Sequence, residues 1–273
     1  MVVLFFERNI FKIKANLNVT IVKNFCRYDM DPDLEYLIVK KFVVALTKAC
    51  YRIHVTGLEH LENLKPPYIM AGNHHSTIDA IIMGLFVPGK IHFLGKQSAL
   101  WHNAMWARIN DYFGTIPVYK KGEEGNKIAI QKGIDVLTKQ KRVLGIFPEG
   151  AILPHKKAFE GRVGVAKFAI KAQVPVVPVG ILGTEDVLPY PEYGKPAVWP
   201  RVGKVVELHI RQPIYFDQYK PDDAENYEIL RSATDQVMEQ IRIASKGYGC
   251  PAPIIKDLMI KGILNPSMLN LTT

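Results

Sequence analysis

From about residue 65 to residue 246, short runs rich in Val, Ile, Phe and Tyr alternate with longer stretches whose apolar residues recur every three or four positions. That alternation constrains the fold more than anything else in the chain. The strand candidates are Tyr68–Ala71, Ile91–Leu94, Thr115–Val118, Val143–Phe147, Val174–Ile181 and Val205–Ile210. Between and after them lie helical stripes. Ile130, Ile134 and Leu137 make one, and Val165, Phe168, Ala169 and Ala172 another. Leu230, Ala233, Val237, Ile241 and Ala244 follow at spacings of 3, 4, 4 and 3. Strands that alternate with helices are joined by crossovers and run largely parallel. The expected fold is α/β, with a mostly parallel central sheet flanked by helices. The 48% of hydrophobic residues suffice for a sizeable core.

Residues 1–60 read as an N-terminal helical appendage that associates with a membrane, 61–246 as the α/β domain and 247–273 as a tail. Past Asp31 and Pro32, residues Leu34, Leu37, Ile38, Val44, Leu46 and Ala49 recur at roughly helical spacing, with Lys40, Lys41, Lys48 and Arg52 among them. This pattern fits a helix packed on the core and equally a basic amphipathic helix lying on a membrane. No run reaches eighteen apolar residues, so a spanning helix is not expected. Nor does Met1–Phe6, followed at once by Glu7 and Arg8, read as a cleaved signal peptide. In the tail, Ile254, Ile255, Leu258, Met259 and Ile263 gather on one side, a pattern for docking on the core or, second to that, at an interface. Cys26, Cys50 and Cys250 are too few and too scattered for a disulfide framework or a zinc site, which points to a reducing, intracellular location. Lys and Arg total 35 against 26 Asp and Glu, a formal net charge of +9. Such a surface attracts anionic lipid or an acidic partner. Signatures of nucleic-acid binding are missing: no zinc-finger spacing, no RNA-recognition aromatics and no basic arm.

Residues 73–79 read Asn-His-His-Ser-Thr-Ile-Asp, directly after the first strand of the alternating region. Sites in parallel sheets gather at the carboxyl ends of strands. In one continuous helix, residues five apart point about 140° away from each other. His74 therefore meets Asp79 only if His74 lies in the loop and Asp79 in the first helical turn. Ser76 and Asp79 have the spacing of a capping box, which would permit that arrangement. By itself the pattern has three readings: a carboxylate–imidazole general base, a helix-capping Asp beside an unrelated loop His, or a metal site with His75 as a third ligand. The scarcity of other ligand clusters disfavours the last. His75 reads as a supporting or surface residue. Trp101 and His102 read as packing residues first and as the lining of an acyl groove second.

Three further segments belong with this one. Gly114-Thr-Ile-Pro-Val-Tyr-Lys-Lys121 is a strand ending in two cations. Phe147-Pro-Glu-Gly150 ends another strand with a carboxylate and a glycine. Val174-Pro-Val-Val-Pro-Val179 is an apolar strand with two prolines, a feature of edges and bulges. In this order and spacing, over about residues 50–215, the set resembles the glycerophospholipid acyltransferase family, the lysophosphatidic acid acyltransferase group in particular.

The resemblance implies a general base, His74, oriented by Asp79, that deprotonates an acceptor hydroxyl as it attacks an acyl thioester. Metal and cofactor are not expected. Acyl-CoA or acyl carrier protein would serve as co-substrate, and membrane lipids as partners. Asn73, Ser76, Gly114, Lys120, Lys121, Glu149, Gly150 and Arg162 fall on the acceptor side, and Val174, Pro175 and Pro178 on the acyl-donor side. The expected acceptor is 1-acyl-sn-glycerol-3-phosphate, giving phosphatidic acid, with glycerol-3-phosphate or another lysolipid as the alternative. The expected location is peripheral or monotopic at the cytoplasmic face of a membrane. Two departures bear on the acceptor. The second block ends in Lys120 where an arginine is common, and a lysine cannot form a bidentate fork on phosphate. The third continues Ala151-Ile152 in place of Thr-Arg, which leaves Arg162, with Lys156 and Lys157 before it, to supply the missing charge. A lipid-binding protein without catalysis has no use for the dyad. A thioesterase has none for the cations at 120–121.

Overall fold

The computed structural model describes residues 32–85, 89–101, 104–119, 124–152, 160–189 and 200–247. Among the described residues, seven strands form one sheet: β1 (Arg52–Thr56), β2 (Ile69–Gly72), β3 (Ile91–Lys96), β4 (Ile116–Val118), β5 (Val143–Ile146), β6 (Val176–Leu182) and β7 (Val205–Ile210), in the spatial order β1-β7-β6-β2-β5-β3-β4. All neighbours are parallel except β6 and β7. The α/β expectation therefore holds, and each of the six expected strands is present within two residues at either end.

The sheet is buried on both faces. Along β2, Ile69 and Ala71 enter one hydrophobic cluster while Tyr68 and Met70 enter the other. This is the period-two alternation of a pleated strand. Helices α6 (Glu124–Thr138), α7 (Gly164–Ala172) and α9 (Tyr227–Ala244) cover the first face. The α9 stripe is buried at all five expected positions, from Leu230 to Ala244, and Asn226 caps the helix by accepting from the N–H groups of Glu228 and Ile229. Helices α2 (Glu59–Glu62) and α3 (Asp79–Leu85) cover the other face, and α1 (Pro32–Cys50) contacts α3 and β1. Three more helices connect strands: α4 (Gln97–Leu100), α5 (Ala104–Phe113) and α8 (Thr184–Val187).

One boundary differs from expectation, and one open alternative is resolved. Residues 52–56, placed with the appendage on sequence grounds, are a sheet strand paired with β7. The proline-bearing strand β6 is not an edge; it lies between β2 and β7. A bulge accommodates Pro178. Val176 and Val179 are three residues apart, whereas their partners Ile214 and Ile210 are four apart, so the missing N–H of Pro178 falls where the ladder is interrupted. The tail expectation falls almost wholly on residues outside those described, as do Cys26 and Cys250; Cys50 is a free thiol. No described helix is long and apolar enough to cross a membrane.

Candidate active site

Three strand exits converge at one end of the sheet. Ile69 pairs with Leu144 and with Val176. The residues that follow β2, β5 and β6 therefore emerge side by side. They carry His74, Glu149 and Thr184.

His74 lies in the loop and Asp79 opens α3, the arrangement that a contact between them requires. His74 Nδ1 and Asp79 Oδ2 are 2.8 Å apart. A carboxylate only accepts, so Nδ1 carries the hydrogen and the Nε2 lone pair is left to receive a proton. The His74 side chain is 18% exposed, whereas that of Asp79 is 1% exposed. The buried carboxylate is fully engaged. Its Oδ2 also accepts from the N–H groups of His75 at 2.7 Å and Ser76 at 2.8 Å, and Oδ1 accepts from Thr184 Oγ1 at 2.5 Å. Four donors offset the cost of burying the charge. Phe147 stacks on the imidazole at 4.1 Å between ring centroids and 11° between planes, and covers one face of it.

Glu149 sits beside the dyad. Its Oε1 accepts from the His74 N–H at 3.2 Å, and its Oε2 is buried without a hydrogen-bond partner among the described residues. Burial pushes its carboxyl up to about 8; the neighbouring Asp79 charge adds to the rise, and the His74 N–H opposes it. Gly150 has φ of 68°, in the left-handed region. A Cβ there would lie 2.5 Å from Arg162 Nε. The exposed Arg162 side chain thus runs directly over Gly150 and brings a cation to the mouth of the site. Lys96 closes β3 at the same end, paired with Val118. Lys120, Lys121, His102, Lys156 and Lys157 lie outside the described residues.

Other expected site residues do different work. Asn73 is buried and both ends of its amide are engaged: Nδ2 donates to the Ile181 carbonyl, and Oδ1 accepts from the Ile181 N–H, each at 2.7 Å. Ser76 is also buried, and its Oγ donates to the Leu188 carbonyl at 2.7 Å. Neither faces a substrate. They fasten the His74 loop to the exit of β6. His75 is buried rather than surface. Trp101 donates its Nε1–H to Asp111. Gly114 is at the wrong end of the sheet: its carbonyl accepts from His92 Nδ1 at 2.9 Å. The pairing of β4 with β3 sets this level about five residues, roughly 16 Å, from His74. Val174 and Pro175 precede β6 at that same far end, where the Pro175 carbonyl accepts from the Ile69 N–H. Pro178 is buried in mid-strand. These four residues shape the sheet and do not line the site.

Thr184 lies outside every motif, and Phe147 lies inside one that assigned it no role. Thr184 follows a strand end, the same signal that singled out 73–79. Among the described residues, no group of three or more His, Cys, Asp or Glu gathers as a metal site would.

Residues 52–182 match the model of a family described as Acyltransferase. The chain is 30% identical over 213 residues to a 1-acyl-sn-glycerol-3-phosphate acyltransferase of Saccharomyces cerevisiae, an alignment spanning 75% of this chain and 63% of that protein. It is 26% identical over 207 residues to the alpha form of the same enzyme from Bos taurus, spanning 72% and 67%. The chain thus spans about two thirds of these relatives' length, and slightly less for the yeast protein. The crystal structure of the 1-acyl-sn-glycerophosphate acyltransferase of Thermotoga maritima superposes with a TM-score of 0.55, covering 86% of this chain and 91% of that one at 19% identity. That likeness establishes the shared fold.

Proposed function

We propose that this chain is an acyltransferase of the matched family, and that it moves a fatty acyl group from a thioester to the hydroxyl of a lysophospholipid, with 1-acyl-sn-glycerol-3-phosphate as acceptor and phosphatidic acid as product. The observation that carries this reading is the His74–Asp79 pair, hydrogen-bonded through Nδ1 at 2.8 Å. It leaves Nε2 as the group able to take a proton.

His74 Nε2 accepts the acceptor's hydroxyl proton while the oxygen attacks the thioester carbonyl carbon. Asp79 holds the ring and balances the imidazolium that forms. The tetrahedral intermediate then collapses: the C–S bond breaks, the new C–O ester bond remains, and the imidazolium returns its proton to the departing thiolate. No acyl-enzyme is needed. Arg162 lies at the mouth over Gly150, where it suits the acceptor phosphate. Lys120 and Lys121 follow β4, which ends on the same side. Acyl-CoA and acyl carrier protein are both polyanionic donors that the +9 chain would attract.

The same reading places the protein on a membrane. Leu34, Leu37, Ile38 and Phe42 are exposed on α1, Phe42 at 63%, with Lys41 and Lys48 exposed on the same face. An outward apolar face with lysines in it suits a helix seated in an anionic interface as a peripheral or monotopic attachment. The cytoplasmic leaflet is the anionic one.

The test is a labelled acyl-transfer assay with purified protein on anionic vesicles. Acyl-CoA and acyl carrier protein are the donors; 1-acyl-glycerol-3-phosphate, glycerol-3-phosphate and unphosphorylated lysolipids are the acceptors. Transfer to the first acceptor, lost about 10²–10⁴-fold in His74→Ala, is expected. Preference for another acceptor would reassign the substrate. Equal activity in His74→Ala would end the reading.

A further inference from the structure

We propose that Thr184, which follows the matched family segment, is a positioning residue for the dyad: its hydroxyl holds Asp79 Oδ1 and so fixes the plane in which the carboxylate meets His74. This inference rests on the acyl-transfer reading of the site.

The donors to Asp79 divide unevenly. Those on Oδ2 come from His74, His75 and Ser76, all within five residues of the aspartate. They pin one oxygen and leave the carboxylate free to rotate about it, because the terminal torsion of an aspartate is broad. Thr184 Oγ1, 105 residues further along, donates to the other oxygen at 2.5 Å. The hydroxyl has a single hydrogen. Its alternative acceptor, Glu185 Oε2, is 3.5 Å away, so Asp79 receives it.

The surroundings hold Thr184 firmly in place. It is fully buried. Gly183 before it has φ of 79°, and a Cβ there would lie 2.2 Å from the Val205 carbonyl oxygen, so the turn is pressed against β7. Upstream, Asn73 is bonded to Ile181 through both ends of its amide. The exits of β2 and β6 are therefore clamped together just before the residues that carry Asp79 and Thr184. A hydroxyl delivered this rigidly orients its acceptor. Without it, Oδ1 is a buried, unpaired carboxylate oxygen, and the imidazole loses its fixed direction. A displacement of about 1 Å in a catalytic group can lower a rate by roughly 10²-fold.

Wild type, Thr184→Val and Thr184→Ser are compared by steady-state kinetics, by thermal unfolding and by proton NMR of the downfield imidazole Nδ1–H signal, assigned through its loss in His74→Ala. Thr184→Val is expected to lower kcat by about 10–100-fold with acceptor KM within about twofold, and to shift or abolish the Nδ1–H signal. Thr184→Ser restores both. In an Asp79→Asn background, Thr184→Val adds little, since the hydroxyl acts only through the carboxylate. Three results would each overturn the proposal: kcat retained in Thr184→Val, an equal loss in the serine variant, or an undiminished Thr184→Val effect without Asp79. If the valine variant does not fold, Thr184→Cys, close in volume and a weak donor, takes its place under the same criteria. If the wild type transfers no acyl group, the functional reading fails by itself and the NMR signal decides: a signal unchanged in Thr184→Val refutes the positioning role, and one lost there and restored by serine upholds it.

Discussion

Glu149→Gln has an outcome that follows directly from where the carboxyl sits. Burial holds the Glu149 carboxyl at about 8 in the folded protein, against 4.5 for an ordinary glutamate. Between those values the unfolded chain releases a proton that the folded chain keeps. Rising pH therefore favours the unfolded state. The contribution to stability is fully present below 4.5, declines through the window and is gone above about 8. Each pH unit within the window is worth about 1.36 kcal/mol, so from pH 5 to pH 8 wild-type stability falls by about 4 kcal/mol on this account. Glutamine is neutral, keeps an oxygen for the His74 N–H and does not titrate. The stability of Glu149→Gln minus that of the wild type should therefore grow by about 4 kcal/mol over those three units. Urea unfolding followed by tryptophan fluorescence, at half-unit pH intervals and constant ionic strength, measures the difference directly. Other titrating groups are common to both proteins and cancel. Parallel curves, or a difference that shrinks as the pH rises, would show that Glu149 is already ionised in the folded protein at pH 5. The account of an uncompensated buried carboxyl would then be wrong.

Gly150→Ala should raise acceptor KM by roughly tenfold while disturbing kcat less, because the new Cβ meets Arg162 Nε at 2.5 Å and displaces the guanidinium; unchanged acceptor KM would remove Arg162 from the phosphate side. Leu37→Glu with Phe42→Glu should weaken sedimentation with anionic vesicles by roughly tenfold or more per site and leave activity on detergent-dispersed acceptor intact, since each side chain is worth about 1.5 kcal/mol when buried in lipid. High salt should release the wild type only in part, because it screens the lysines and not the apolar contact. Gly180→Ala should destabilise the protein by about 3 kcal/mol in urea unfolding, because its Cβ would lie 2.1 Å from the Ala244 carbonyl carbon, where α9 packs on β6.

The parts of this protein legible in its sequence are those where periodicity alone decides the outcome. β2, β5 and β6 are apolar throughout because both sheet faces are covered, and α9 shows its stripe because one side is solvated. β1 was not legible: Arg52, His54 and Thr56 are exposed on one side of an edge strand, and only pairing with β7 makes Arg-Ile-His-Val-Thr a strand. The site divides along a similar line. The resemblance pairs His74 with Asp79, and the chain permits that pairing because the geometry that joins them is local, a loop residue and the first turn of the following helix. Glu149 and Arg162 depend on β5 emerging beside β2, a matter of strand order. Thr184 depends on β6 flanking β2 on the other side. Motif membership misled in a consistent way. Gly114, Val174 and Pro175 lie at strand starts and His74 and Glu149 beyond strand ends, so residues in neighbouring motifs are separated by the length of the sheet. Asn73 and Ser76 lie beside the base in sequence, yet their polar atoms are engaged in holding its loop. A polar residue next to a catalytic group contributes chemistry only if its hydrogen-bonding capacity is left over, and that depends on contacts as remote in sequence as Ile181 and Leu188.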